Sequence, residues 1–275
     1  MSSKALPAGR QARVSVIMSV YNGMPFLKDA VESILNQTYE NFEFIIVDDA
    51  STDDTWQYLK SLKDRRVRLL KNKNNLGLAS SLNVALRQAQ GDYVARMDAD
   101  DISLPKRFEK QIEFLLKNPS IDLCGTWADL IDENGKIIGE KKFPKRHLAI
   151  IRALLLLSPI IHPTFFAKSE VFKELKGYNP RFEYAEDYEF LLRAKEKFRF
   201  ENITQKLFQW RLWDERRSRA QMEKIDQADF KVKWTAFERG YFGKSYLIIV
   251  FLKFLVTFVT PYFIKKAIAK KVKLA

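Results

Sequence analysis

Asp98-Ala99-Asp100 closes the apolar run Tyr93–Met97 and is the sharpest chemical feature of the sequence. Two carboxylates one residue apart can hold a hard divalent cation, Mg²⁺ or Mn²⁺, through oxygen ligands. Such a cation keeps several waters and takes its remaining ligands from substrate phosphates. A second acidic pair, Asp48-Asp49, ends the run Phe42–Val47, and a third, Glu186-Asp187, opens a helical stretch. Two acidic ends on one sheet edge repel each other unless a cation or a polar ligand lies between them. Acids at a helix start are also favoured by the helix dipole.

The elements that must position these groups follow from periodicity. Val14–Val20 is an apolar run ending at Tyr21-Asn22-Gly23, which reads as a buried strand and a turn. Residues 29–36 have helical spacing, 42–47 form a second strand, and Thr52 or Asp53 can cap a helix through Leu62. Short strands at 67–70 and 93–97 flank a helix at 80–89. Strands alternating with helices predict an α/β fold, a mostly parallel sheet with helices on both faces. Ligands bind such sheets outside the carboxyl ends of the strands, where these acids lie. The second half is less regular. It reads as helices at 105–118, 147–157, 169–175 and 187–197, with strands at 123–131, 137–142 and 164–167.

Composition narrows the class. The 275 residues are 47% hydrophobic and 29% charged, which supports a buried core and excludes a disordered or collagen-like chain. One cysteine, Cys124, allows neither an intrachain disulfide nor a cysteine-built zinc site and reads as an inert buried thiol. The formal charge is +13, and +9 of it falls in residues 231–275, so the body is nearly balanced. A nucleic-acid-binding body would carry its basic face within the folded domain. Residues 1–13 lack the apolar core of a signal peptide and read as a loose tail. Tyr246–Ile264 is 19 residues long, apolar but for Lys253, and followed by Lys265, Lys266, Lys270, Lys271 and Lys273. Its length is borderline for a span, and a mid-helix lysine costs about 2.5–3.5 kcal/mol in hydrocarbon. A helix lying in the interface of an anionic membrane fits better than a clean span, and the other reading is a core helix packed on the domain with a solvated lysine-rich end.

The ordered runs VSVIMSVYNG, SILNQTYENFEFIIVDDASTDDT, NLGLASSLNVAL and GDYVARMDADD resemble the nucleotide-binding half of glycosyltransferase family 2, inverting enzymes of the GT-A fold. HPTFFAKSEVF and GYNPRFEYAEDYEFLLR are similar to the family's acceptor-side segments, so the likeness covers roughly residues 14–218. The resemblance implies a GT-A domain over 14–225, with a nucleotide-sugar-binding half at 14–101 and an acceptor-side half at 102–225. Residues 226–275 would then be a helical, membrane-associated segment. It implies that Ser19 and Tyr21 line a uracil pocket and that Asp49 accepts the pyrimidine N3–H. Asp98 would face the ribose, Asp100 would ligate a Mn²⁺ or Mg²⁺ bridging the diphosphate, and Asp187 would be the catalytic base. The partners implied are a nucleotide sugar, a UDP sugar by preference, and a glycan or lipid-linked saccharide of cell-surface polysaccharide synthesis. The place implied is the cytoplasmic face of the membrane.

The likeness has departures. Where the family often carries a histidine that approaches the metal or diphosphate, this chain has Trp213, and an indole cannot ligate a metal. Arg211, Arg216 and Arg217 are candidates for the diphosphate instead. Gln209 is not followed by the motif of processive synthases, which points to one sugar per encounter. His162 reads either as a packed histidine or as an acceptor contact, and Gly91 as a turn residue. Two other readings stand beside the transferase: a nucleotidyltransferase, disfavoured because no basic residue follows the first strand until Lys28, and an inactive binding scaffold. A dehydrogenase is disfavoured because no glycine-rich fingerprint follows the first strand.

Overall fold

The computed structural model describes residues 11–213 and 222–259. Four strands, β1 (Val14–Val20), β2 (Phe42–Asp48), β3 (Val67–Lys71) and β4 (Tyr93–Met97), lie in the order β3-β2-β1-β4. All three pairings are parallel, and each connection passes through a helix: α1 (Leu27–Leu35), α2 (Thr55–Ser61) and α3 (Leu78–Gln88). Parallel neighbours require such crossovers. Alternate side chains feed two cores. Val14, Val16, Met18 and Val20 of β1 pack with α1 and α2, while Ile17 packs with α3. Both faces are therefore covered, which is why these strands read as continuous apolar runs.

The parallel sheet expected from the first hundred residues is found there, and the less regular second half extends it into a mixed sheet. The chain adds β5 (Ile102–Ser103), β6 (Leu123–Ile131), β7 (Ile137–Lys141), β8 (Phe166–Lys168) and β9 (Phe200–Arg211). β8 joins β4 antiparallel, β6 joins β8 antiparallel, and β9 joins β6 in parallel. β7 and β5 pair antiparallel with β6 and β9. The sheet is mixed because its later strands are joined without a regular crossover; the tight turn between β6 and β7 can only make an antiparallel pair. The strand β9, absent from the sequence reading, carries the chain back across the acidic edge. The helices α4 (Arg107–Lys117), α5 (His147–Ala153), α6 (Ser169–Glu174) and α7 (Glu186–Ala194) complete this half.

Several local expectations are corrected. α2 starts after Asp54 rather than Thr52 or Asp53. The Asp53 carboxylate still accepts the Thr55 amide at 3.1 Å and the Met24 amide at 3.3 Å, tying the helix start to the loop after β1. The described part of the N-terminal tail is anchored: Ala12 is buried, its carbonyl accepts the Tyr39 hydroxyl, and the Arg13 amide donates to Asp92 at 2.9 Å. Gly91 is more than a turn residue, since a Cβ there would sit 2.6 Å from the Ser15 amide nitrogen.

Two helices, α8 (Met222–Glu238) and α9 (Tyr246–Phe254), followed by a π-helical turn at Leu255–Val259, pack on the α7 side. Residue 226, the expected start of the C-terminal segment, falls inside α8. Among the described residues no helix is long and apolar enough to cross a membrane. Lys253 is not left in an apolar environment: it turns inward to Asp226 at 3.0 Å and Asp229 at 2.9 Å on α8. Tyr246, Val250 and Thr257 share that inward stripe, and Leu247, Ile248, Phe251, Leu252, Phe254, Val256, Phe258 and Val259 are exposed. The lysines from 265 onward lie outside the described residues.

Candidate active site

The parallel register brings the strand ends to one edge. Val20 stands opposite Asp48 on β2, and Met18 stands opposite Met97 on β4. Tyr21, Asp49 and Asp98 therefore leave the sheet side by side. The chain turns sharply there, with Asn22 at φ 51° and Ala50 at φ 63°.

A cleft of about 550 Å³ opens over this edge, lined by Ser19, Tyr21, Asp49, Asp98 and Asp100, together with Asn75, Gly77, Glu183, Tyr184 and Trp213. A second cavity of about 270 Å³ adjoins it and is lined by Arg96, Ser158, His162, Glu186 and Asp187. Leu78, Asp98, Asp100 and Tyr184 line both. The five residues expected on the donor side thus share one chamber, and Asp187 lies in the other. The two chambers meet at the Asp98-Ala99-Asp100 loop.

Each acid has a distinct environment. Asp48 is buried and faces Lys71 at 3.4 Å, so it belongs to the frame. Asp49 faces the cleft. Its Oδ1 accepts the Asn72 side-chain amide and the Leu76 amide, both at 2.8 Å, and its Oδ2 accepts the Gly77 amide at 2.9 Å. It therefore also fixes the loop that walls the cleft, and Gly77 meets that demand at φ +81°, where a side chain would be strained. Asp98 pairs with Arg96, which is only 1% exposed. Asp101 is fully buried and accepts the Arg211 amide at 2.8 Å.

Arg211, expected as a diphosphate contact, is a clamp. It is 2% exposed, and its Nε donates to the Asp100 carbonyl at 3.0 Å. Its Nη1 donates to the Glu133 carbonyl at 2.9 Å and its Nη2 to Asp29 at 3.2 Å. Arg216 and Arg217 lie outside the described residues. Trp213 donates its indole N–H to Asp100 Oδ2 at 3.0 Å. These contacts come from the C-terminal end of β9 and the residues just after it, a stretch with no alternating pattern to announce a strand.

Burial raises the pKa of Asp187 above the usual carboxylate range, although the Ser158 hydroxyl, the helix-start amides and the Arg96 charge act in the opposite direction. A carboxylate so shifted is a stronger base. It opens α7 as expected, beside Glu186. His162 is packed and hydrogen-bonded, its Nε2 2.9 Å from the Tyr178 hydroxyl, and it also lines the inner cavity. Cys124 is buried in β6, and burial pushes its thiol far up.

Carboxylate oxygens of Asp98, Asp100 and Asp101 come within 4.8 Å of one another. An all-oxygen set of this kind suits a hard cation such as Mg²⁺ or Mn²⁺. Asp101 is committed to Arg211, so Asp98 and Asp100 are the two that face the cleft. The residues present fit the cation expected from the sequence.

Residues 15–176, more than half of the chain, match the family described as Glycosyl transferase family 2. The chain belongs to glycosyl transferase family 2. It is a glycosyltransferase of α/β, GT-A-like fold. It is 36% identical over 266 residues to an uncharacterized glycosyltransferase of Methanocaldococcus jannaschii, covering 92% of this chain and 91% of that one. It is 33% identical over 228 residues to the O-antigen biosynthesis glycosyltransferase WbnJ of Escherichia coli, covering 80% of this chain and 87% of that one. Among solved structures, the S. aureus TarS 1–349 complex with UDP-GlcNAc superposes with a TM-score of 0.65 at 22% identity, over 80% of this chain and 65% of that one. This chain therefore spans slightly less than two thirds of that TarS fragment. The mannosyltransferase PcManGT of Pyrobaculum calidifontis, in complex with GDP-Man and Mn²⁺, superposes with a TM-score of 0.64 at 19% identity, over 97% and 81%. These two likenesses concern the fold.

Proposed function

We propose that this family 2 glycosyltransferase moves one sugar, with inversion, from a nucleotide sugar to a hydroxyl of a glycan or lipid-linked saccharide. The observation that carries the reading is that Asp98 and Asp100 line both chambers, with Asp49 in one and Asp187 in the other. In this reading the larger cleft takes the nucleotide. Tyr21, 49% exposed at its rim, offers a ring to a base, and Ser19 lies beside it. Asp49 retains acceptor capacity for a pyrimidine N3–H, since a carboxylate has about four lone-pair sites. UDP is the donor nucleotide by that argument.

Asp100 would hold Mn²⁺ or Mg²⁺, with Asp98 beside it on the ribose side, and the cation would supply charge neutralisation for a departing diphosphate. The acceptor hydroxyl enters the inner chamber and gives its proton to the Asp187 carboxylate. The new bond from the acceptor oxygen to the anomeric carbon forms as the bond to the diphosphate oxygen breaks. The products are the glycoside and the nucleoside diphosphate. One base, with no protein nucleophile, suffices for inversion. A relative named for O-antigen biosynthesis supports a role in cell-surface polysaccharide synthesis.

The outward apolar face of α9 supports peripheral attachment at the cytoplasmic face of the membrane. Its inward stripe carries its one charge, Lys253, which pairs with Asp226 and Asp229 of α8, and its outward face carries none among the described residues. That is the reverse of a helix facing water.

Calorimetric titration of UDP with and without Mn²⁺, beside a transfer assay on Asp187→Asn, tests the reading. The variant is expected to keep Mn²⁺-dependent UDP binding and to lose about 10²–10⁴ in rate, the usual contribution of a general base. Unchanged transfer in the variant would remove Asp187 from the reaction. Failure to bind UDP, and then GDP and dTDP, would leave a scaffold.

A further inference from the structure

The end of β9 does something that the donor reading leaves unexplained. Arg211 and Trp213 both turn back onto Asp100, from two positions on one strand terminus. Arg211 Nε holds the Asp100 backbone carbonyl at 3.0 Å, and Trp213 Nε1 holds its carboxylate Oδ2 at 3.0 Å. Both are braced on one ring: the Arg211 guanidinium lies 4.4 Å from the centroid of Phe26, and the indole meets Phe26 edge-on at 5.1 Å. The indole also lines the larger cleft.

We propose that Trp213 is a positioning residue for the divalent cation, orienting Asp100 through a hydrogen bond so that its other oxygen faces the metal. The inference rests on the donor reading above. An indole N–H is a donor only and carries no charge. It can fix a carboxylate without ligating the cation or repelling it as a lysine would. Metal-binding carboxylates commonly depend on such outer hydrogen bonds. With Oδ2 held by the indole, the Asp100 carboxylate is fixed in one orientation beside Asp98. The cation then depends on water and on the donor's phosphate oxygens for its other places, as a small hard cation usually does. Metal binding and nucleotide binding are thereby coupled.

The test uses the full chain, UDP and Mn²⁺, read by calorimetry. Wild type is expected to bind Mn²⁺ weakly alone and tightly with UDP present. Trp213→Phe keeps a ring against Phe26 and removes the N–H. It is expected to bind Mn²⁺ in the presence of UDP about 10–100-fold more weakly, the usual effect of losing an outer partner. Its affinity for UDP without metal should stay within about twofold. Trp213→Gln restores a donor without the ring and is expected to recover the metal response. Thermal melts confirm that each variant is folded. An unchanged metal affinity in Trp213→Phe would overturn the inference. So would an equal loss of UDP binding with and without Mn²⁺, which makes Trp213 a wall of the nucleotide cleft. A Trp213→Gln chain as weak as Trp213→Phe assigns the effect to the ring and overturns it too. A wild-type chain that binds no nucleotide under either condition overturns the donor reading itself, a result distinct from the other three.

Discussion

Asp187 carries a pH signature. Burial holds its pKa above the ordinary carboxylate range, opposed in part by Ser158 and Arg96. The transfer rate should therefore fall, as pH is lowered, at a higher pH than an exposed aspartate would give. An acid limb at the ordinary carboxylate value would detach Asp187 from the reaction. The same shift affects stability. The folded chain holds the proton more tightly than the unfolded one, so stability falls as pH rises from the ordinary to the raised value. Asp187→Asn abolishes that fall. Its melting temperature should exceed that of wild type above the raised value, and the gap should close in acid. At the same scale, Tyr184 stands at φ 70° on the wall common to both chambers, a conformation that bulky residues seldom adopt. Strain of this kind gathers at functional sites.

The strand termini turn these residues into a site, and their contributions are separable. Arg211→Met keeps most of the buried volume and removes the bonds to Asp29, the Asp100 carbonyl and the Glu133 carbonyl. Losing a guanidinium's bonds to such partners costs about 1.5–3 kcal/mol, with little of it from Asp29, whose side chain is 58% exposed. Thermal denaturation should show that loss, and Mn²⁺ titration a weaker response; a stable variant with normal Mn²⁺ binding would separate the clamp from the cation site. The first four strands were legible because each is a local, largely apolar run, and two of them, β2 and β4, end in carboxylates; the parallel register does the rest. The roles of Ser19, Tyr21, Asp49, Asp98, Asp100 and Asp187 came from the likeness of whole motifs to a family, and the geometry supplies their grouping. What stayed hidden is non-local. β9 pairs with β6, far earlier in the chain, and the Trp213–Asp100 and Arg211–Asp29 contacts join residues that no local pattern connects. The mixed sheet was missed for the same reason. Lys253 looked misplaced in an apolar run because its partners, Asp226 and Asp229, lie on another helix.

At the scale of the molecule, the C-terminal helix pair joins the same apolar cluster as α3 and α7, so it is continuous with the core under both chambers. Its outer face carries Ile248, 64% exposed, and Phe251, 57% exposed. Exposed substitutions usually change stability by less than about 0.5 kcal/mol. Burying a large apolar side chain fully contributes about 1.5–3 kcal/mol. The double variant Ile248→Glu, Phe251→Glu should keep the wild-type melting temperature and lose about tenfold or more in co-sedimentation with phosphatidylglycerol-containing vesicles. Equal sedimentation would show that lipid is not what covers this face. The shared wall between the chambers has a further bearing. If the nucleotide sits against Asp98 and Asp100, it forms part of the surface that the acceptor meets. The acceptor chamber is then a property of the donor complex, and compounds screened against the empty protein would be selected for a shape that no acceptor encounters.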